Sequence, residues 1–267
     1  QRDFVQAALD EEESTRIEHD DGTTLILVDV PIVEVENATY IYRTIALGIV
    51  LLPEMILTVC TRDINVLSDF TQQTINGFAT HKRTRFILQI LGRNTSKFLT
   101  YLKMIDRASS RVETELHRSM RNKELIQMLK LEKSLVFFST SLKGNEVVLE
   151  RMLRMDSVQK FPDDTDLLED VIIENKQAIE MCNIYRDILA GTMDAFASII
   201  SNNLNIVMKV LTSITLLMTI PTLIASIWGM NVPLPFENHP YGFPIVVGLM
   251  ITTALGCFFL LWRRKMF

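Results

Sequence analysis

The spacing of apolar and polar positions changes character along the chain. In residues 15 to 61 the apolar residues come in short β-branched runs, Leu25 to Val30, Tyr40 to Val50 and Met55 to Thr61. The turn-like Asp20-Asp21-Gly22 opens the first, and Pro53-Glu54 separates the last two, so the stretch predicts strands. Asp63 suits the cap of a following helix. From Thr84 to about Met155 the period becomes helical, with Phe86, Ile90, Phe98, Leu102 and Ile105 on one face and no proline. A break near Asn122 or at Gly144-Asn145 makes this an antiparallel helix pair. Phe161-Pro162-Asp163-Asp164 is a boundary: Pro162 ends one element, and the two acids suit the next helix N-terminus.

No proline follows until Pro221, which predicts one helix from Asp163 to Trp228. At about 1.5 Å per residue it is on the order of 100 Å long. One small domain cannot bury such a helix, so it packs against copies of itself or other helices. Gly191 is its one weak point, and helices tolerate single glycines.

No charge occurs from Val210 to Phe236, nor from Asn238 to Trp262 with His239 neutral. Val207–Trp228 and Pro244–Trp262 are each long enough to cross a bilayer as a helix. Lys209 precedes the first span and Arg263-Arg264-Lys265 follow the second, while the loop between them has no Lys or Arg. The positive-inside rule then puts both termini in the cytoplasm and the loop outside, with Trp228, Tyr241 and Trp262 at the interfaces. The start at Gln1, with neither methionine nor leader pattern, reads as a truncated N-terminus. The expected organisation is a cytoplasmic α/β part (1–80), long cytoplasmic helices (81–162) and a stalk (163–206). A first span (207–228), an external loop (229–243), a second span (244–262) and a basic tail (263–267) complete it.

The chain has 267 residues, 48% of them hydrophobic, and a net charge of −5, which gives no case for a nucleic-acid partner. Cys60, Cys182 and Cys257 are too dispersed for a disulfide framework or zinc site. There is no phosphate loop and no Ser/His/Asp arrangement, and His19, His81, His117 and His239 are scattered, so no enzyme is expected.

One face of the long helix carries Asp187, Gly191, Asp194, Ser198, Ser201, Asn205, Met208, Thr212, Thr215, Thr219, Thr222 and Ser226, spaced alternately by three and four. That is a heptad seam, small or polar throughout except Met208. Its flanks in the span are Leu211, Ile214, Leu216, Leu217, Ile220, Leu223 and Ile224. The seam reads as the lining of a pore, with candidates Asp194, Ser201, Asn205, Met208, Thr212, Thr215, Thr219 and Thr222. The alternative is close helix packing, with hydroxyls bonded to the preceding turn.

The first span ends in Ile227-Trp228-Gly229-Met230-Asn231, after Met208-Lys209-Val210-Leu211 at its start. With the acidic-started long helix, the short loop, the second span and the basic tail, this resembles the CorA family of bacterial and archaeal divalent-cation transporters over nearly the whole chain. The resemblance implies an α+β cytoplasmic domain, an α/β/α sandwich, carrying the stalk helix and two transmembrane helices in a funnel-shaped homopentamer. It implies a multi-pass protein of the inner cell membrane, in contact with lipid. The implied function is a passive, potential-driven Mg2+ channel, also passing Co2+ or Ni2+. The first span would line the pore, with Gly229, Met230 and Asn231 as selectivity filter and Glu237 as an acidic loop residue. Mg2+ dehydrates reluctantly, so a wide ring of Asn231 amides would hold its hydrated form by outer-shell hydrogen bonds. The resemblance also implies a regulatory Mg2+ at Asp170, where the usual partner carboxylate aligns with Ala7 and Asp10 or Glu11-Glu12-Glu13 are substitutes. The alternatives are a ZntB-like zinc transporter of the same superfamily and a membrane-anchored scaffold with a coiled stalk and no transport.

Overall fold

Four antiparallel strands in the order β1-β2-β3-β4 form the only sheet among the described residues: β1 (Arg16–Asp20), β2 (Thr23–Glu36), β3 (Thr39–Leu51) and β4 (Ile56–Cys60). The structure is a computed structural model and describes residues 2–10, 13–36, 39–71, 80–119, 122–231 and 240–264. It divides into two units, Gln1–Asp194 and Ala195–Phe267.

In the first unit, Asp20 pairs with Thr23 across a two-residue loop in which Asp21 and Gly22 have φ of 42° and 74°. Positive φ at both positions matches the twist of a tight hairpin and explains the Asp-Gly sequence. Strand alternation sends Ile26, Val28, Val30, Ile45, Leu47 and Ile49 to one face. There they meet Ile87, Leu88 and Leu91 of α3 (Arg83–Ser119), Val148 and Leu149 of α4 (Asn122–Met152), and Leu168 and Val171 of the long helix. Leu25, Leu27 and Val50 turn the other way, onto Phe4 and Ala8 of α1 (Arg2–Ala8). Gly48 touches Ala8 so closely that any Cβ there would collide. The result is an α/β/α layering, as expected.

Two departures from the sequence reading have physical reasons. The strand expected to end at Val30 runs to Glu36, through Pro31. Proline is tolerated because β1 pairs only with residues Thr23 to Leu27, so beyond it β2 is an open edge. That edge is covered from α4: Asn145 Oδ1 accepts from the Asp29 N–H at 2.9 Å, and its Nδ2 donates to the Asp29 carbonyl at 2.8 Å. Asn94 of α3 donates to the same carbonyl at 2.8 Å. On the other edge the Tyr42 N–H donates to Ser134 Oγ, and between them Ser141 bonds Thr44 while Phe138 packs edge-on against Tyr42. The second departure concerns the helix break. It falls between Ser119 and Asn122, near one predicted place, whereas Gly144 lies inside α4. Gly144 leaves room for Thr15, whose Oγ1 would stand 2.5 Å from a Cβ.

Two short helices are α2 (Asn65–Thr71) and α5 (Asp156–Gln159), after which α6 (Pro162–Trp228) runs for 67 residues. Pro162 opens this helix rather than ending its predecessor; at the first helical position its missing N–H costs nothing. Within the first unit α6 buries Leu168, Val171, Ile172, Asn175, Ala178, Ile179, Cys182 and Leu189, a helical face. Asn175 donates to the Leu142 carbonyl at 3.0 Å and the Cys182 thiol to that of Leu135 at 3.0 Å, tying α6 antiparallel to α4. Burial pushes the Cys182 thiol up to about 11, so it stays a neutral packing group.

The second unit holds the end of α6 and α7 (Gly242–Arg263). The apolar stretch of α6 is 6% buried and that of α7 11%. Both helices are long and apolar enough to cross a membrane.

Candidate ion path and metal sites

Along the apolar end of α6 the covered positions form one face, Ser213, Leu217, Ile220, Pro221, Ile224 and Trp228, with Ser213 fully buried. Those of α7 do the same, through Gly242, Val246, Met250, Thr253, Cys257 and Leu261. These two helices are the described elements of the unit. Thr215, Thr219, Thr222 and Ser226 each follow a covered position by two residues, roughly 200° round the helix. The polar seam therefore lies opposite the covered face of α6, and every predicted pore position from Asp194 to Thr222 is exposed in the single chain.

The threonine hydroxyls are not idle. Thr215 Oγ1 donates to the Leu211 carbonyl at 2.8 Å, Thr219 to Thr215 at 2.7 Å and Thr222 to Met218 at 2.7 Å. This satisfies each proton within the helix, as the packing alternative requires, and leaves the oxygen lone pairs outward. Pro221 donates no N–H, yet α6 continues through it to Trp228.

After Trp228 the chain closes with Gly229 N–H on the Ala225 carbonyl at 2.9 Å and Met230 N–H on Ile227 at 3.3 Å. Asn231 follows, exposed. Gly229 does not adopt the left-handed backbone that would exclude a side chain: the one positive-φ glycine among the described residues is Gly22. A Cβ on Gly229 would meet the Ala225 carbonyl at 3.4 Å, an ordinary contact, so nothing in the single chain demands glycine there. Glu237 lies outside the described residues.

Asp170 is exposed on α6 and lines a groove of about 400 Å³ with Glu174, Leu167, Gln89, Arg93 and Ser96. Gln89 Oε1 is buried without a hydrogen-bond partner. Arg93 leans away toward Asp69, which it meets at 2.6 Å while Lys97 meets it at 2.9 Å. Burial raises the Asp69 carboxyl, but these two cations more than reverse it and hold the group below the usual range. Ala7 is packed with Phe4, Leu25 and Val50 under the sheet. Glu13 is paired to Arg16 at 2.7 Å, and Glu11 and Glu12 lie outside the described residues. Among the described residues no three His, Cys, Asp or Glu come together to hold a metal. One copy thus supplies Asp170 and Glu174 and no complete site.

The sequence reading overlooked the groove residues Gln89 and Arg93 and the buried asparagines Asn94 and Asn145. Asparagine is a poor helix former, so two of them inside long helices were a legible signal of side chains working on backbone.

The profile of the family described as CorA-like Mg2+ transporter protein matches residues 2–265. The chain is 28% identical over 271 residues to the cobalt/magnesium transport protein CorA of Methanocaldococcus jannaschii, covering 98% of this chain and 82% of that protein. The complete structure of the magnesium transporter CorA from the same organism superposes with a TM-score of 0.85 at 26% identity, over 98% of this chain and 83% of the other. The ZntB cytoplasmic domain of Vibrio parahaemolyticus superposes at 0.59 with 13% identity, over 76% of this chain and 80% of the other, a likeness of fold alone.

Proposed function

This chain belongs to the CorA-like Mg2+ transporter family, and from that premise we propose that it is a passive Mg2+ channel built as a homopentamer around the polar face of α6. The observation that carries the reading is that face: Thr215, Thr219, Thr222 and Ser226 are exposed on the side opposite the covered face of α6, and the three threonine hydroxyls bond carbonyls of their own helix. Lipid offers them nothing, whereas facing copies of themselves they enclose a wet path. Both spans cross the membrane with the termini in the cytoplasm, and the basic Arg263-Arg264-Lys265 stays inside.

In this reading Asn231 rings the outer mouth and holds the hydrated ion by outer-shell hydrogen bonds, with Gly229 and Met230 shaping the turn beneath it. Asn205, Ser201 and Met208 continue the path downward, and rings of Glu237 and Asp194 gather cations at its two ends. The membrane potential drives entry, worth roughly 2.3 kcal/mol per charge per 100 mV. Asp170 answers to internal Mg2+: carboxylates of neighbouring copies repel until an ion bridges them, and its loss lets the pore open. The relative named above is a cobalt/magnesium transport protein, which supports Mg2+ with Co2+ as a second ion; Ni2+ is a further candidate. Along the described seam the ligands are oxygen apart from the Met208 thioether, which disfavours a ZntB-like zinc role.

Cysteine cross-linking tests the arrangement. Thr215→Cys and Thr222→Cys join neighbouring subunits of the assembled protein. Cross-links from Leu216→Cys or Ile220→Cys instead would put the wrong face at the centre.

A further inference from the structure

Away from the ion path, we infer that the first unit carries a binding site for a nucleoside phosphate, in the cavity between the start of α3 and the start of α6. The cavity holds about 390 Å³ and is lined by residues 81–85 on one side and by Phe161, Asp163 and Asp164 on the other. Its size falls within the range of small-ligand pockets, about 300–1,000 Å³. It shares no residue with the Asp170 groove.

The two walls have opposite character. On the α3 side the His81 and Lys82 side chains are exposed and have no partner among the described residues. Arg83 turns its guanidinium onto the Leu52 carbonyl at 2.9 Å and onto that of Pro53, which fixes this wall to the β3–β4 loop. The helix begins here: the Phe86 N–H bonds the Lys82 carbonyl at 2.9 Å, so the amides of Arg83, Thr84 and Arg85 precede the first turn's bonds. Positive charges and N–H donors of this kind suit phosphate oxygens.

On the α6 side the Phe161 ring is 54% exposed, whereas Asp164 is 5% exposed. The Asp164 carboxylate meets only the Arg85 guanidinium, at 3.8 Å, beyond hydrogen-bond reach. Asp163, open to solvent, meets the same guanidinium at 3.7 Å. A buried carboxylate is costly without hydrogen bonds, and this one lines the cavity as an acceptor with no donor. That points to a ligand which brings N–H groups to this end. Free phosphate brings none, and two carboxylates repel it; a bare cation is repelled by the other wall. A nucleotide answers both walls. Its phosphates meet Lys82 and His81, its base stacks on Phe161, and the N–H groups of the base reach Asp164. The Lys160 ammonium, 5.8 Å over the Phe161 ring, adds positive charge at the rim.

The test uses the full chain in detergent, with a chelator present so that metal binding adds no signal, and calorimetric titration with ATP, GTP and inorganic triphosphate. At least one of the two nucleotides binds at one per chain, tenfold or more tighter than inorganic triphosphate. Lys82→Glu, at an exposed position, weakens all three ligands tenfold or more. Phe161→Ala, also exposed, weakens the nucleotide fivefold or more and leaves inorganic triphosphate unchanged. Asp164→Asn lowers the preference for nucleotide over inorganic triphosphate threefold or more, and an unchanged preference in a folded protein overturns the role of Asp164 and the inference with it. If that variant fails to fold, the two exposed variants decide alone. Absence of nucleotide binding overturns the inference, and so does full nucleotide affinity in Lys82→Glu, which would place the binding elsewhere. Inorganic triphosphate bound as tightly as both nucleotides, or a silent Phe161→Ala, would leave a basic patch for any polyanion and overturn the nucleotide assignment. None of these readouts involves ion flux, so their failure leaves the pore reading untouched.

Discussion

The two units place their apolar residues in opposite directions. In Gln1–Asp194, Phe98, Leu102, Phe138 and Leu142 are fully buried, and the sheet is covered on both faces. In Ala195–Phe267, Leu204, Leu211, Met218, Leu223, Leu255 and Leu260 are each more than half exposed. A soluble surface does not carry apolar area on that scale, which fits a unit whose apolar faces are covered from outside the single chain. One chain therefore contains a part whose stability is its own and a part whose stability belongs to its surroundings. The polar residues differ as well: buried Asn94 and Asn145 in the first unit hold backbone of another segment, whereas Thr215, Thr219 and Thr222 in the second bond carbonyls one turn back in their own helix.

The sharpest way to break this contrast is at Asn231, to which the proposed function gives a role only in the assembly. Asn231→Ala should abolish selective Mg2+ influx into liposomes while the protein still elutes as wild-type oligomer; normal flux would remove Asn231 from the filter. The reverse experiment acts on the first unit. Phe138→Ala should destabilise it by about 3–5 kcal/mol, because the ring is fully buried between Phe98 and Tyr42. Leu223→Ala, 57% exposed, should shift the same denaturation midpoint by less than about 0.5 kcal/mol. Equal losses would mean the second unit is folded by a core of its own.

A smaller effect is expected at Asp170. Inhibition of flux by internal Mg2+ should move to clearly higher concentration in Asp170→Ala; the same inhibition curve in mutant and wild type would dismiss it as the sensor. The smallest effects are two opposite pH dependences within the first unit. Burial raises the Asp29 carboxyl above the usual 3.8, against a lowering bond from Ser141. Its contribution is full below the unfolded value and is lost as pH rises through the folded one, so Asp29→Asn should melt higher than wild type at pH 7 and lose that margin in acid. Asp69 is lowered from 3.8 by Lys97 and Arg93 against burial. Its contribution is present above 3.8 and lost as pH falls through the folded value, so Asp69→Asn should melt lower at pH 7, with the gap closing in acid. Melting curves at pH 7 and pH 4 that show the same sign for both would contradict the assignment of causes.

Much of this was legible in the sequence because it is periodic. The long helix from the Pro162 boundary to Trp228, the two spans and the polar seam all follow from spacing that a single helix must obey. Less legible was whatever depended on a second segment arriving. The run read as Leu25 to Val30 fell short of the strand's end at Glu36, because nothing local says that β2 is an edge at Pro31. Gly144 looked like a break because Thr15, the residue that needs its missing side chain, is far away in sequence. Asp170 stands in the single chain beside Glu174, in no group of three metal-ligating residues among those described, and Glu237 falls outside them.

The covered hairpin edge has a consequence for handling the protein. Past Leu27, β2 has no neighbouring strand on its β1 side, and an open strand edge rich in Val and Ile is a template for another chain. Asn145 occupies the Asp29 N–H and carbonyl much as a strand would, and Pro31 two residues on has no N–H to give. Together they act as gatekeepers against edge-to-edge growth. A chain with Asn145→Ala uncovers the Asp29 N–H and leaves its carbonyl to Asn94 alone, and its failure would show less as lost transport than as aggregates during expression.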